Sequence, residues 1–302
     1  MTLVNYLVEY LFRFYSASNV CYMTVAETIN HRLADLTPAE RKVAAVVADD
    51  PEAVAFGTVA DVAARAGTSG PSVVRLAAKL GYDGFVDLQA AVQDEIARRL
   101  RPASERIRQP PAGDAVARTL AVELENVAAT LSNVDRTAFD RAVRLLIGRG
   151  GRVLILSGEA SHGAAVLLAA ELSMLRPGVE LLAGSEVRVA GALAEVGRSD
   201  TLVVIDLSRY DRWVVQTAER AAGRGARLVV LTDSALSPLA VPGAVSFTVS
   251  AAGAGPFDSH TGVLALGNAL VAAVAARLRR SATERLDRIE AAWRETGALL
   301  DG

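Results

Sequence analysis

Thr58-Val-Ala-Asp-Val-Ala-Ala-Arg-Ala66, then Gly67-Thr68-Ser69, then Gly70-Pro-Ser-Val-Val-Arg-Leu-Ala-Ala-Lys-Leu80 reads as two short helices joined by a tight turn. Thr58 is placed to cap the first helix, and Gly67 stands where the chain must turn left-handed to leave it. Ser69 can cap the second helix, with Pro71 tolerated in its first turn. Val59, Val62 and Ala63 on one helix and Val73, Val74 and Ala77 on the other supply apolar contacts for the crossing. The second helix is expected to turn Ser72, Arg75 and Lys79 outward, donors suited to phosphates and base edges in a major groove. Between Val62 and Tyr82 the charged residues Arg65, Arg75 and Lys79 are joined by no acidic one before Tyr82, so the local field is positive. The same spacing occurs in plain helical bundles, where Arg75 would be a salt-bridging surface residue.

Around this stretch, residues 24 to about 100 keep helical apolar spacing with no alternating strand pattern, which predicts an all-α unit. It holds 8 basic against 11 acidic residues from position 23 to 100, so any nucleic-acid face is local rather than domain-wide. Residues 101 to 119 bring Pro102, Pro110, Pro111 and Gly113 together with charges, which suits a linker without regular structure. The domain boundary is placed there, with a linker over 101–115 and a second domain over 116–302. After helical stretches at about 114–133 and 136–148, β-rich runs alternate with helices: Arg152-Val-Leu-Ile-Leu156, Val179-Glu-Leu-Leu182, Thr201-Leu-Val-Val-Ile205, Arg227-Leu-Val-Val-Leu231 and Val245-Ser-Phe-Thr-Val249. Continuous apolar runs of this length mark strands buried on both faces, and their alternation with helices predicts a parallel sheet. Ligands of such sheets sit beyond the carboxyl ends of the strands, near the reversal of strand order.

Composition limits the chemistry. The chain has 302 residues, 51% of them apolar, and a net charge of -2, enough for two buried cores and unlike a polybasic coat or an acidic tail. Its single cysteine, Cys21, excludes an internal disulfide and a Cys-rich metal site, and His31, His162 and His260 lie far apart. No Walker loop or GxGxxG follows the first strand, so no nucleotide cofactor is expected. Residues 1–23 form an extension that lacks the charge order of a signal peptide, and Met23 is a second plausible start. With no apolar run of about 18 residues, the chain is read as cytoplasmic.

Leu36-Thr-Pro-Ala-Glu-Arg-Lys42, Asp50-Pro51, Val62-Ala63 and Ser69-Gly-Pro-Ser-Val-Val-Arg-Leu-Ala-Ala-Lys-Leu-Gly-Tyr-Asp-Gly-Phe85 closely resemble the amino-terminal domain of the RpiR (MurR/RpiR) transcription regulators. The resemblance spans about residues 25 to 95. It implies that this domain binds a palindromic operator in double-stranded DNA as part of a dimer, and it gives Ser69, Ser72, Arg75 and Lys79 a DNA-facing role. It also implies that the second domain is a sugar-isomerase (SIS) domain, a five-stranded parallel αβα sandwich that senses phosphosugars, in a homodimer or homotetramer. Ser161 falls where the first loop of such a domain supplies a serine. Gly225-Ala-Arg-Leu-Val-Val-Leu-Thr-Asp233 and Ser237-Pro-Leu-Ala240 resemble the fourth-strand segment and its sequel, and Ser259 precedes the last helix.

The loop after the third strand departs from the family. Its phosphate-cradling pattern, Ser-x-Ser-Gly-x-Thr, is replaced by Asp206-Leu-Ser-Arg-Tyr-Asp211, which keeps only Ser208. The candidate effector-binding residues are Glu159, Ser161, Asp206, Ser208, Arg209, Arg212, Thr232, Ser237 and Ser259. Three readings of the loop stand. Arg209 and Arg212 take over anion binding, with Tyr210 lining the site; or the ligand is neutral or amine-bearing; or Asp206, Asp211 and the arginines form a solvated ion-pair network without a ligand. No residue is assigned a catalytic role, because His162 and His260 have no motif partner for acid/base work. The leading function is a metabolite-responsive transcription regulator. The alternatives are a sugar-phosphate isomerase with a structural helical domain, and a constitutive DNA-binding protein that uses the second domain to dimerise.

Overall fold

The computed structural model describes residues 25–100, 102–108, 113–148, 150–234 and 237–298; the expectations for the extension and for Met23 fall outside them. The chain divides into two compact units between Ile96 and Ala97. No single helix among the described residues is long and apolar enough to cross a membrane.

The first unit is helical, as its periodicity predicts: α1 (Val25–Arg32), a 3-10 turn (Leu33–Asp35), α2 (Pro38–Asp49), α3 (Pro51–Phe56), α4 (Val59–Arg65), α5 (Gly70–Lys79) and α6 (Phe85–Leu100), which runs across the boundary. Side chains satisfy the orphan N–H groups at the helix starts. Thr37 and Glu40 form a capping box on α2, Asp50 caps α3, and Thr58 and Asp61 form a second box on α4. Gly67 takes φ +58° after α4, the left-handed turn that glycine adopts without a Cβ penalty. Val43, Val54, Val62, Val73, Leu76 and Leu88 form the core. Val74, expected in that core, is 44% exposed instead; the buried stripe of α5 runs through Ser72, Val73, Leu76 and Ala77 and leaves Val74 outside.

A charge pair locks α5 onto α2. Glu40 is only 1% exposed, yet its Oε2 accepts hydrogen bonds from the Thr37 N–H and from Lys79 Nζ, both at 2.8 Å. The same ammonium group donates to the carbonyl of Asp35 at 2.8 Å. The end of α5 is therefore tied to the start of α2, and Lys79 is not the free outward cation its spacing predicts.

The second unit starts earlier than the proline-rich stretch predicts. Within that stretch, expected to be irregular, lies α7 (Ala103–Arg108). Pro102 precedes the helix, where a missing N–H costs nothing, its carbonyl accepts from the N–H groups of Glu105 and Arg106, and Arg106 pairs with Asp258 at 2.7 Å. Then follow α8 (Ala115–Ser132), α9 (Arg136–Leu146), β1 (Val153–Ser157), α10 (His162–Leu175), β2 (Val179–Leu181), α11 (Glu186–Ala194), β3 (Thr201–Ile205), α12 (Arg212–Gly223), β4 (Arg227–Thr232), β5 (Val245–Thr248), α13 (Thr261–Arg277) and α14 (Arg279–Thr296).

The five strands form one parallel sheet in the order β2-β1-β3-β4-β5. Side chains alternate between two apolar layers. Ile155, Val203, Ile205, Val229 and Leu231 pack with α10 and α13; Leu154, Leu156, Leu202, Val204 and Val230 pack with α11 and α12. Strand order reverses between β1 and β3, so the loops that follow these strands flank the crevice where such sheets bind ligands.

Replacing Lys79 by methionine leaves a buried carboxylate without its cation. The expected loss is roughly 2 kcal/mol, below the value for a fully buried pair because Lys79 is itself 39% exposed. Lys79 and the Thr37 N–H hold Glu40 at about 2, well below its ordinary 4.5. The contribution is therefore complete above about pH 4.5 and is lost as pH falls toward 2. Urea unfolding followed by circular dichroism checks both, and Glu40→Gln should flatten the acid limb.

Candidate functional site

Two regions carry the sequence-predicted site residues, the outward face of α5 and the carboxyl edge of the sheet. On α5 the exposed residues are Pro71, Val74, Arg75, Ala78 and Lys79. Ser72, expected to face outward, is 3% exposed and works from below: its Oγ accepts from Arg75 Nη2 at 3.0 Å and lies 3.3 Å from Ser69 Oγ. Ser69 occupies the N-cap position of α5 but makes no side-chain cap bond. Arg75 Nε lies 3.9 Å from Glu40 Oε1, while its side chain stays mostly exposed. The face is thus one guanidinium, braced by a buried serine, among small apolar groups. That combination offers bidentate donors next to surfaces that fit a thymine methyl.

At the sheet edge, Asp206 directly follows β3 and is 4% exposed. It seats beside Gly158 in the β1 loop, where a Cβ would lie 2.2 Å from Asp206 Oδ1, and its Oδ2 accepts from the Asp211 N–H at 2.9 Å. Asp211, at the N-cap of α12, makes no side-chain cap bond there; its Oδ2 instead accepts from the Glu159 N–H at 2.8 Å. Glu159 itself points to solvent. Across the β3–β4 pair, Asp233 accepts from the hydroxyl of Ser208 and from that of Tyr210 at 2.8 Å. Arg209 takes φ +70°, the one positive φ of a non-glycine among the described residues, so the loop keeps the tight left-handed bend that glycine would adopt freely. That conformation costs an arginine about 1–2 kcal/mol. Arg209 and Arg212 are exposed and enter no ion pair among the described residues, which contradicts the reading of the loop as an aspartate–arginine network.

Most of the remaining candidates are spent on local structure. Ser161, fully buried at the N-cap of α10, shares a 3.0 Å hydrogen bond with His260 Nε2, the N-cap residue of α13. Burial lowers the pKa of His260, opposed by the charge of Asp258. Ser237 Oγ accepts from the Leu239 N–H at 3.3 Å, and Ser259 donates to Glu123 on α8 at 2.6 Å. Thr232 is buried, and its Oγ1 has no hydrogen-bond partner meeting normal geometry. A shallow, open apolar crevice lies between the first halves of α10 and α13 over Ile205 and Leu231.

A helix-turn-helix domain of the rpiR family matches residues 23–99, and a SIS domain matches residues 145–273. Over 219 residues the chain is 30% identical to the HTH-type transcriptional regulator HexR of Pseudomonas aeruginosa, covering 71% of this chain and 74% of that protein. The chain belongs to the rpiR family of helix-turn-helix transcriptional regulators. Its α/β unit is similar to the sugar isomerase domain of an RpiR transcription factor from Sphaerobacter thermophilus, with a TM-score of 0.54 at 26% identity over 58% of this chain and 97% of that one. The Vibrio vulnificus NanR protein complexed with ManNAc-6P matches with a TM-score of 0.53 over 92% of this chain and 100% of that one, at 19% identity, a likeness of fold.

Within this rpiR-family regulator, sequence reasoning passed over three residues that the geometry brings forward. Val74 was assigned to the core. Asp233 stands at the end of a quoted segment, and its charge was not weighed with those of Asp206 and Asp211. His260 had no visible partner because Ser161 lies 99 positions away. A signal existed only for Asp233, an acidic residue directly after a buried strand at the same sheet edge.

Burial, together with the charges of Asp211 and Asp233, pushes Asp206 up to about 6, against the pull of the Asp211 and Leu207 N–H groups. Its folded value lies above its ordinary 3.8, so ionisation costs stability. The α/β unit of the regulator should gain about 3 kcal/mol as pH falls from above 6 to near 4 and lose it again as pH rises. Asp206→Asn should remove that dependence in chemical denaturation between pH 4.5 and 7.5, a window in which Glu40 stays ionised.

Proposed function

We propose that this regulator binds a palindromic site in double-stranded DNA as a homodimer, reading the major groove with the outward face of α5, while its SIS unit acts as a sensor of a small carbohydrate-type ligand and not as an isomerase. The observation that supports this most directly is the Ser72–Arg75 arrangement, which fixes a guanidinium on an exposed helix face flanked by Val74 and Ala78. Arg75 is the base- or phosphate-contacting residue in this reading, Ser69 contributes a donor at the helix start, and Ser72 is a positioning residue. Lys79 acts through the fold by neutralising Glu40. The isomerase alternative draws on the Ser161–His260 contact. There the hydroxyl is fully buried and the imidazole is shifted toward its neutral form, which suits a tie between two helix starts better than a proton shuttle.

The reading is tested by fluorescence anisotropy with DNA from upstream of the protein's own gene. Arg75→Ala is expected to weaken binding by ~1–3 kcal/mol if it contacts a base, or to lower the salt slope by about one if it contacts a phosphate. Val74→Ser should relax preference at one A·T position with little change in melting temperature. Lys79→Met should lower the melting temperature while leaving the salt slope of the folded protein unchanged. Wild-type curves for both Arg75→Ala and Val74→Ser would refute α5 as the reading element.

A further inference from the structure

We propose that the loop after β3 is closed to phosphate by the protein's own carboxylates, so that the effector of this regulator is an unphosphorylated, hydroxyl- or amine-bearing small molecule. This deepens the sensor reading above and rests on it. The loop sits at the carboxyl edge of a parallel sheet, beside the reversal of strand order, where donors usually face a ligand. Three of its donors, and one from the loop after β1, point at aspartates instead. The Glu159 N–H serves Asp211, the Asp211 N–H serves Asp206, and the hydroxyls of Ser208 and Tyr210 both serve Asp233.

Three tethered carboxylates thus occupy four donors that an entering dianion could otherwise use. Being part of the chain, they compete at a high effective concentration. Asp206 also fills the space physically, because its side chain lies where a residue with a Cβ at position 158 could not fit. The local charge points the same way. Asp206 is buried and lies within the field of Asp211 and Asp233. Tyr210 is likewise held in its neutral, donating form by burial and by Asp233. Arg209 and Arg212 stand exposed at the rim, outside this arrangement. The neighbouring crevice between α10 and α13 is lined by apolar residues with Glu171 and Asn268 and contains no basic side chain. What the edge offers a ligand is carboxylate acceptors and an apolar wall, a match for hydroxyl or ammonium donors.

The test titrates the full-length protein with inorganic phosphate, and with glucosamine against glucosamine 6-phosphate, by isothermal calorimetry with chloride controls at matched ionic strength. Wild type should show no saturable phosphate binding and should gain no affinity from the 6-phosphate. Asp206→Asn and Asp233→Asn keep an acceptor oxygen and remove one charge each, and each should bring phosphate binding into range or tighten it at least ~10-fold; circular dichroism shows that each variant is folded. Saturable phosphate binding by wild type that is lost in Arg209→Ala overturns the proposal. So does the failure of both folded charge-removed variants to gain phosphate affinity, because the carboxylates would then not be what excludes it. DNA binding measured on the same samples separates the outcomes. Its absence refutes the regulator reading and leaves the phosphate result standing, whereas intact DNA binding with phosphate-tight wild type refutes only the inference about the loop.

Discussion

Covering a parallel sheet on both faces is the constraint from which the second half of this molecule follows. β1, β3 and β4 bury their apolar side chains toward both helical layers, so polar chemistry is driven to the strand ends. Asp206 is the first residue past β3, and Asp233 the first past β4. The parallel register that pairs Ile205 with Leu231 brings the two ends side by side, and the reversal of strand order sets Gly158 of the β1 loop against them. The carboxylate cluster is thus a product of topology, assembled from residues that are neighbours only once the sheet forms.

The same topology explains how the loop keeps its shape after its sequence has changed. Where a glycine would bend freely, Arg209 is held in the left-handed region, and that strain persists only because the surroundings impose it. Asp206 bonds forward to the Asp211 N–H, Asp211 bonds back to the Glu159 N–H, and Asp233 clamps Ser208 and Tyr210 from the next strand. A bound anion could organise these donors. The built-in carboxylates do so permanently, at the cost of a buried charge beside two others: burial first, and then the charges of Asp211 and Asp233, raise the pKa of Asp206.

What could be read from residues alone divides along physical lines. Strand positions were legible to within about one residue because continuous apolar runs have few other uses, and the helix–turn–helix was legible because Thr58 and Gly67 are local signals acting through adjacent backbone. The six-residue helix at Ala103 was not, since the prolines that flank it dominate the composition of the stretch. The facing of Ser72 and Val74 on α5 is the reverse of what spacing predicts, because a helical period says which residues share a face, not which face is buried. The pairing of Lys79 is invisible to local spacing because Glu40, its partner, lies 39 positions away. Asp233 escaped notice for a similar reason, its donors Ser208 and Tyr210 being 25 and 23 positions distant and joined to it only through strand pairing.

Two buried carboxylates, one in each unit, show how the same group is turned to opposite ends. Glu40 and Asp206 are both almost wholly inaccessible, and burial alone would raise both. Glu40 receives an ammonium and a cap N–H and is held at about 2; Asp206 receives N–H groups but faces two further carboxylates and rises to about 6. The difference lies in what answers burial: at Asp206 desolvation is the largest influence and two carboxylates add to it, whereas at Glu40 the Lys79 ammonium and the Thr37 N–H outweigh it. In the first unit the carboxylate is neutralised on site and becomes a strut that fixes the angle at which α5 is presented. In the second it has no cation, so its ionisation costs stability at neutral pH even as it holds the Asp211 N–H and shapes the loop; under the proposal above, a site that tolerates its own surplus of negative charge disfavours another anion and gains from a ligand that brings donors.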